Sequence, residues 1–351
     1  MSSDFLLYGA YGFVGAEIAR LAVEQGLRPL LAGRDATQVK ALAAELGLEQ
    51  RVFGLDDPSA LDRALGEVSL ALHCAGPFIH TYKAMADACL RAGVHYLDIT
   101  GEIPVYAALA AWDAQARARR VMLLPGAGFD VVPTDCLAAH LQRRLPTATH
   151  LTLAFHTSGP ARIPPGTART MIEALPNRTK VRRDGRLQDA PQEMKTRRID
   201  FGRGPRQAVL LSWGDVFTAY YTTGIPNIED YLVLPEKLVS LRRAAGWLRP
   251  ALKLPLARRM IAPLIPAGST PEQRAQTCTH VWGEVIDDQG RVVVSRLHGP
   301  EPGVVWTALA ALGAVKKVLA GLAEPGFQTP AGVFGADFVL ETDGVTREDL
   351  S

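Results

Sequence analysis

Six short, nearly uninterrupted apolar runs, each followed by a segment of helical period, occupy the first 130 residues. They are FLLYGA (5–10), RPLLAG (28–33), RVFGL (51–55), VSLALHCAG (68–76), HYLDIT (95–100) and VMLLPGAG (121–128). Apolar runs without alternation are what parallel strands buried on both faces require. Helix-like VGAEIARLAVEQG, ATQVKALAAELG, PSALDRALGE, YKAMADACLRAG and VYAALAAWDAQARARR lie between them. Six βα units in that order specify an α/β, doubly wound sheet of the Rossmann type, with strand order 3-2-1-4-5-6.

After Asp130 the pattern changes. A helix, VPTDCLAAHLQRRL, leads to an alternating strand, HLTLAFHTS (150–158). KTRRIDFG and QAVLLSWGDVFTAYYTT read as further strands, and residues 278–298 read as a hairpin around Asp287-Asp288-Gln289-Gly290. The expected second domain is therefore α+β, built on a mainly antiparallel sheet. A length of 351 residues agrees with two domains. The expected boundaries are 1–130, 131–325 and a C-terminal segment, 326–351, with a return to the first domain as one option. The apolar segment VVWTALAALGAVKKVLAGL needs a packing partner.

Composition narrows the function classes. A hydrophobic fraction of 48% with 21% charged residues fits a globular core. No window approaches eighteen uninterrupted apolar residues, and no signal-like apolar core follows a basic flank, so a cytoplasmic protein is expected. Cys74, Cys89, Cys136 and Cys278 form no C-x-x-C pair, and the histidines show no ligand spacing, so no metal is expected. The serines lack a G-x-S-x-G context, which leaves nucleophilic hydrolysis unsupported. Residues 160–209 carry twelve Arg/Lys against five Asp/Glu, and residues 236–266 carry seven against one. Such basic stretches suit an anionic ligand, an acidic partner or a membrane surface, and equally a solvated face. Pro250, Pro255 and Pro263 break 236–265, which reads better as a helical lid than as a membrane-lying helix. Nucleic-acid binding lacks a recognisable module.

The first strand–helix turn carries the clearest chemistry. In YGAYGFVG the glycines Gly9, Gly12 and Gly15 are spaced G-x-x-G-x-x-G, with Tyr11 where the commoner fingerprint has glycine. The turn follows a strand and opens a helix, the context in which glycines admit a pyrophosphate to free helix N–H groups. The second strand ends in Gly33-Arg34, nineteen residues beyond Gly15. A carboxylate there selects a ribose 2′-OH, whereas a guanidinium suits a 2′-phosphate. Arg34 therefore favours NADP(H) over NAD(H), with Asp35 as the competing signal. The fourth strand runs into Ala75-Gly76-Pro77-Phe78, a compact turn beside the nicotinamide half of such a crevice.

YGAYGFVG, LAGR, CAGPF, HYLDITGE and PGAGFDVVPTD, in this order and at these gaps, resemble the saccharopine dehydrogenase-like oxidoreductases, and in particular the bacterial branch containing trans-acting enoyl reductases. TTGIPNIEDY (222–231) and GFQTPAGVFGADF (326–338) share the likeness. The resemblance implies an NADP-binding Rossmann domain, a mixed second domain closing over the crevice, and a homodimer. It also implies hydride transfer to a C=C, C=O or C=N bond of a hydrophobic or carrier-bound small substrate. Gly9, Gly12, Gly15, Arg34 and Ala75, Gly76, Pro77 and Phe78 match the family's cofactor-contact motifs. Tyr11, Phe13, Val14 and Gly33 interleave with them and complete the candidate cofactor set. A lysine frequent in the family four residues beyond the arginine is Gln38 here.

Hydride chemistry also needs a proton. Asp98 and Glu102, after strand five, and Asp130, after strand six, fall on the crevice side of the sheet and are candidates. Tyr221, beside Tyr220, is a candidate from the second domain. Loop carboxylates often only bond backbone, and tyrosine pairs often only pack. An NADP-binding sensor or scaffold without turnover is the alternative these residues leave open.

Overall fold

The computed structural model describes residues 4–174, 176–191, 195–234, 239 and 268–350. The basic stretch 236–265 lies outside them apart from Val239. The chain divides into two compact units. The first comprises residues up to Val132 together with Gly303–Asp343; the second comprises Pro133–Pro302 and the residues from Gly344 onward.

In the first unit, β1 (Leu6–Tyr8), α1 (Phe13–Glu24), β2 (Leu30–Gly33), α2 (Ala36–Leu46), β3 (Gln50–Val52), α3 (Pro58–Leu65), β4 (Leu70–His73), α4 (Tyr82–Ala92), β5 (His95–Asp98), α5 (Ile103–Ala110), α6 (Asp113–Arg119) and β6 (Met122–Leu124) follow in turn. The strands pair in the expected order 3-2-1-4-5-6, all parallel. Leu6, Leu7, Leu30, Leu31, Leu70, Leu72 and Leu97 are wholly buried, as strands covered on both faces require. Pairing Tyr8 with both Ala32 and His73, and His73 with Asp98, brings the carboxyl ends of four strands level. Gly9, Gly33 and Cys74 consequently leave the sheet at one edge.

The second unit holds α7 (Val132–Arg144, which begins in the first unit), β7 (Ala148–Ser158), α8 (Pro165–Ala174), β8 (Lys180–Arg183), β9 (Arg186–Asp189), β10 (Thr196–Asp200), β11 (Pro205–Leu210), α9 (Asp215–Thr223), β12 (Asn227–Leu232), β13 (Cys278–Asp287) and β14 (Val292–Gly299). Its sheet runs β10-β11-β12-β7-β13-β14, with β8 joined to β12 and β9 to β8. Only the β12–β7 pair is parallel, so the sheet is mainly antiparallel as expected. α7 lies on one face at Gly283, where a Cβ would come 2.6 Å from Leu141. Val181, Ile199, Phe201, Tyr231 and Trp282 fill the core on this sheet.

Three expectations need correction. The second unit ends at Pro302, not 325, because the helix Thr307–Leu319 packs on α1 and buries Ala308, Ala311, Leu312 and Val315. Among the described residues, Pro302–Leu319 is the one segment long and apolar enough to cross a membrane, and more than half of it is buried inside the protein. The tail is shared. β15 (Gly326–Phe327) adds a seventh parallel strand beside β6, whereas β16 (Thr346–Leu350) joins β14 in the second unit. Finally, only the start of QAVLLSWGDVFTAYYTT is a strand; DVFTAYYTT is α9. Gly214 interrupts the run as N-cap, Gly224 closes the helix at φ 72°, and Phe217 stacks on Tyr221 one turn later.

Candidate functional site

The β1–α1 turn is built for close backbone approach. Gly9 has φ 80°, in the region that favours glycine, and its N–H is held by the Ala32 carbonyl at 2.8 Å. A Cβ on Gly9 would lie 2.9 Å from the Ala75 nitrogen, so this turn and the loop after β4 pack backbone to backbone. A Cβ on Gly15 would collide with the Gly9 carbonyl oxygen. Gly12 caps α1 in an extended conformation (φ −64°, ψ 162°) with no side chain on the first N–H groups, and the first turn carries no acid. The positive end of a twelve-residue helix, with no N-cap side-chain bond and no acid in its first turn, forms a cradle for an anion. The site fits a dinucleotide's pyrophosphate.

Tyr11 occupies a different place from the fingerprint glycine it stands in for. A Cβ on Gly33 would come 2.5 Å from its Cε1, so the ring lies over the end of β2. Beneath it, burial pushes the Tyr8 hydroxyl up to about 12, with Tyr11 adding and Arg34 opposing. Arg34 follows Gly33, is exposed, and makes no hydrogen bond or ion pair with the described residues. Asp35 is engaged otherwise. Its carboxylate caps α2, accepting from the Thr37 and Gln38 N–H groups at 3.0 and 3.1 Å and from the Gln38 amide at 2.8 Å. The side-chain bond from Gln38 and its backbone bond hold Asp35 below the usual carboxylate range. The ambiguity between Arg34 and Asp35 therefore resolves locally: one is a cap and the other is available.

The turn after β4 is clamped at both ends. Thr81 donates its hydroxyl to the Ala75 carbonyl at 2.7 Å and faces the His73 Nε2 at 3.0 Å. Since that hydroxyl proton is spent on Ala75, the His73 Nε2 is the donor in the second bond. His73 is fully buried between Tyr8, Phe78 and Tyr96, and burial lowers it to about 3, so it is neutral. At the other end Glu102 accepts from the Phe78 N–H at 2.7 Å and from the Ile79 N–H at 2.9 Å. His73 and Thr81 were not evident from the sequence. Their only signal is an out-of-place polar pair flanking CAGPF.

The carboxylates proposed for proton transfer divide by environment. Asp98 is wholly buried and accepts from the Tyr96 hydroxyl at 2.6 Å, the Thr100 N–H at 2.9 Å and the Gly126 N–H at 3.0 Å. It ties the ends of β5 and β6 together, and burial raises it to about 6 against those bonds. Asp130 sits over Gly101, where a Cβ would lie 2.6 Å from its Oδ2. Burial and then the nearby Glu102 charge raise Asp130 to about 7. Asp98, Glu102 and Asp130 are thus gathered at the carboxyl edge of β5 and β6. Tyr221 belongs to the second unit, is 54% exposed, and stacks on Phe217. Among the described residues no group of three His, Cys, Asp or Glu could hold a metal.

Comparison with known proteins agrees with this geometry. Residues 5–124 match the family model described as the saccharopine dehydrogenase NADP binding domain. A trans-acting enoyl reductase of Mycobacterium leprae is 33% identical over 150 residues, which span 40% of this chain and 36% of that protein. The trans-acting enoyl reductase of Mycobacterium tuberculosis is 28% identical over 149 residues, again 36% of its length. The chain thus matches little more than a third of the length of these relatives. Apo saccharopine dehydrogenase (L-Glu forming) from Saccharomyces cerevisiae superposes over the whole of both chains with a TM-score of 0.68 at 12% identity, a likeness of fold. Residues 5–124 are therefore similar to the saccharopine dehydrogenase NADP-binding domain.

Proposed function

We propose that the chain is an NADP(H)-dependent oxidoreductase acting on a C=C, C=O or C=N bond of a hydrophobic or carrier-bound small substrate. The observation that carries the cofactor reading is the pairing of an uncapped glycine cradle at α1 with a free Arg34 beside an Asp35 locked as a helix cap. When bound, the nicotinamide supplies the hydride. Gly9, Gly12 and Gly15 admit the pyrophosphate, with Phe13 and Val14 opening the helix whose N–H groups face it. Arg34 pairs with the 2′-phosphate by charge-assisted hydrogen bonds, and Tyr11 walls that end of the site. The Ala75–Phe78 turn is held rigid by Thr81 and Glu102, which gives it a fixed surface for the nicotinamide half.

Asp130 is the proton donor in this reading. Its carboxyl titrates near neutrality, so a protonated form coexists with a strong enough acid to transfer the proton. Glu102 and Asp98 support it as positioning residues, because the Glu102 oxygens are taken by backbone N–H groups and those of Asp98 by backbone N–H groups and the Tyr96 hydroxyl. The enoyl reductase names of the relatives favour a C=C bond. The test is NADPH oxidation against enals, ketones and imines, with Asp130→Asn as control. Turnover that needs both NADPH and Asp130 supports the proposal; NADPH binding without oxidation by any of the three classes would favour a non-catalytic sensor.

A further inference from the structure

Among the described residues of the second unit there is a buried cation with no counter-ion. Several arginines of this unit are matched to carboxylates: Arg183 to Glu229, Arg197 to Glu284 at 2.7 Å, Arg291 to Asp287 at 2.6 Å and Arg144 to Asp349 at 3.3 Å. Arg182, on β8, differs in being buried without one. At 4% exposure it is the only buried arginine among the described residues, and none of their carboxylates lies within ion-pair distance. Its Nε donates to the Val216 carbonyl at 2.8 Å and its Nη1 to the Gly185 carbonyl at 2.7 Å. The guanidinium lies 4.2 Å from the Tyr220 ring centroid and 5.8 Å from that of Phe217. Nη2 has no hydrogen-bond partner among the described residues and is not among their buried unpartnered atoms.

Carbonyl dipoles and ring faces orient a guanidinium but do not neutralise it. A guanidinium cannot relieve its burial by losing the proton. Leaving such a charge uncompensated is unfavourable, and the remaining planar N–H edge matches an oxyanion. Beside it Tyr220 meets Tyr221 edge-on, with centroids 6.2 Å apart, and the exposed Tyr221 gives this cluster an accessible rim. Tyrosine hydroxyls at such a rim can donate to the same ligand.

We propose that Arg182 is the receiving group of a small oxyanion site in the second unit, binding a carboxylate or phosphate through Nη2 with Tyr220 and Tyr221 as its wall. The site is independent of the cofactor reading, so either can fail without the other. The test compares thermal unfolding of the full chain in sodium phosphate, sodium malonate and sodium chloride at matched ionic strength. A saturable rise in melting temperature with phosphate or malonate, absent with chloride, is expected; which of the two acts assigns the ligand class. Arg182→Lys keeps the charge but loses the planar fork, and should weaken that apparent affinity about tenfold or more. Equal effects of all three salts, or an unchanged response in Arg182→Lys, overturns the assignment. Should the variant not fold, wild-type crystals soaked in sodium selenate decide. An anomalous selenium peak against the Arg182 guanidinium is expected, and selenate bound only elsewhere, or nowhere, refutes the site.

Discussion

Asp130 links stability to pH in a direction that can be worked out. An unfolded aspartate titrates at about 3.9, whereas burial and the Glu102 charge place the folded carboxyl at about 7. Between those values the folded protein holds a proton that the unfolded chain has released, so stability falls as pH rises. A raised pKa thus contributes stability that is complete below about pH 4 and gone above about pH 7. Three units at about 1.4 kcal/mol each give about 4 kcal/mol over the full range, of which about 2.5 kcal/mol falls between pH 5 and 8. Asp130→Asn removes the titration while keeping the shape. Asp98, also raised, to about 6, is present in both proteins and cancels in the difference. Urea unfolding followed by circular dichroism, at half-unit steps of pH, measures that difference. The variant should gain on the wild type by about 2.5 kcal/mol across pH 5–8. Parallel stability curves would show that Asp130 is not a raised carboxyl, and would remove it as proton donor. Under the proposed chemistry the wild-type rate of substrate reduction also declines above about pH 7 as the acid is lost.

Two further predictions separate scaffold from chemistry. Glu102→Gln keeps one acceptor oxygen but sets an amide against a backbone N–H, so one charge-assisted bond is lost and the Ala75–Phe78 turn loosens. We expect about 1.5–3 kcal/mol less stability, a raised KM for NADPH, and a pH–rate profile of unchanged shape; a lost acidic or basic limb would make Glu102 an acid–base group instead. Asp35→Ala removes the α2 cap and should cost about 0.5–2 kcal/mol by thermal or urea unfolding, with the ratio of NADPH to NADH affinity unchanged. A shift of that ratio toward NADPH would mean that Asp35 acts on the ribose after all.

The readable parts of the chain were those where one local rule dominates. Continuous apolar runs fix buried parallel strands, and the glycine spacing reports backbone approach directly, so the first sheet and its cradle followed from the residues. DVFTAYYTT misled because β-branched and aromatic residues suit a strand by propensity, while the Gly214 and Gly224 boundaries and the Phe217–Tyr221 contact decide for a helix. The return of Thr307–Leu319 to α1 depends on which apolar face it meets, which no local pattern specifies. Among the site carboxylates, sequence placed Asp98, Glu102 and Asp130 at the correct edge but could not rank them. Their roles differ through the N–H groups each one reaches and the depth at which it lies. His73 and Arg182 stayed invisible because a polar residue inside an apolar strand acquires meaning only from its neighbours.

Selection of NADP(H) depends on Arg34 reading a 2′-phosphate. Equilibrium titration of NADPH and NADH into the wild type and Arg34→Ala, followed by reduced-nicotinamide fluorescence, tests this directly. Loss of hydrogen bonds to a charged group corresponds to about 1.5–3 kcal/mol, or roughly ten- to over a hundredfold in Kd. The wild type should prefer NADPH; Arg34→Ala should lose that much NADPH affinity while binding NADH within about twofold of the wild type. Equal losses for both cofactors, or a wild type that prefers NADH, would show that Arg34 does not read a 2′-phosphate.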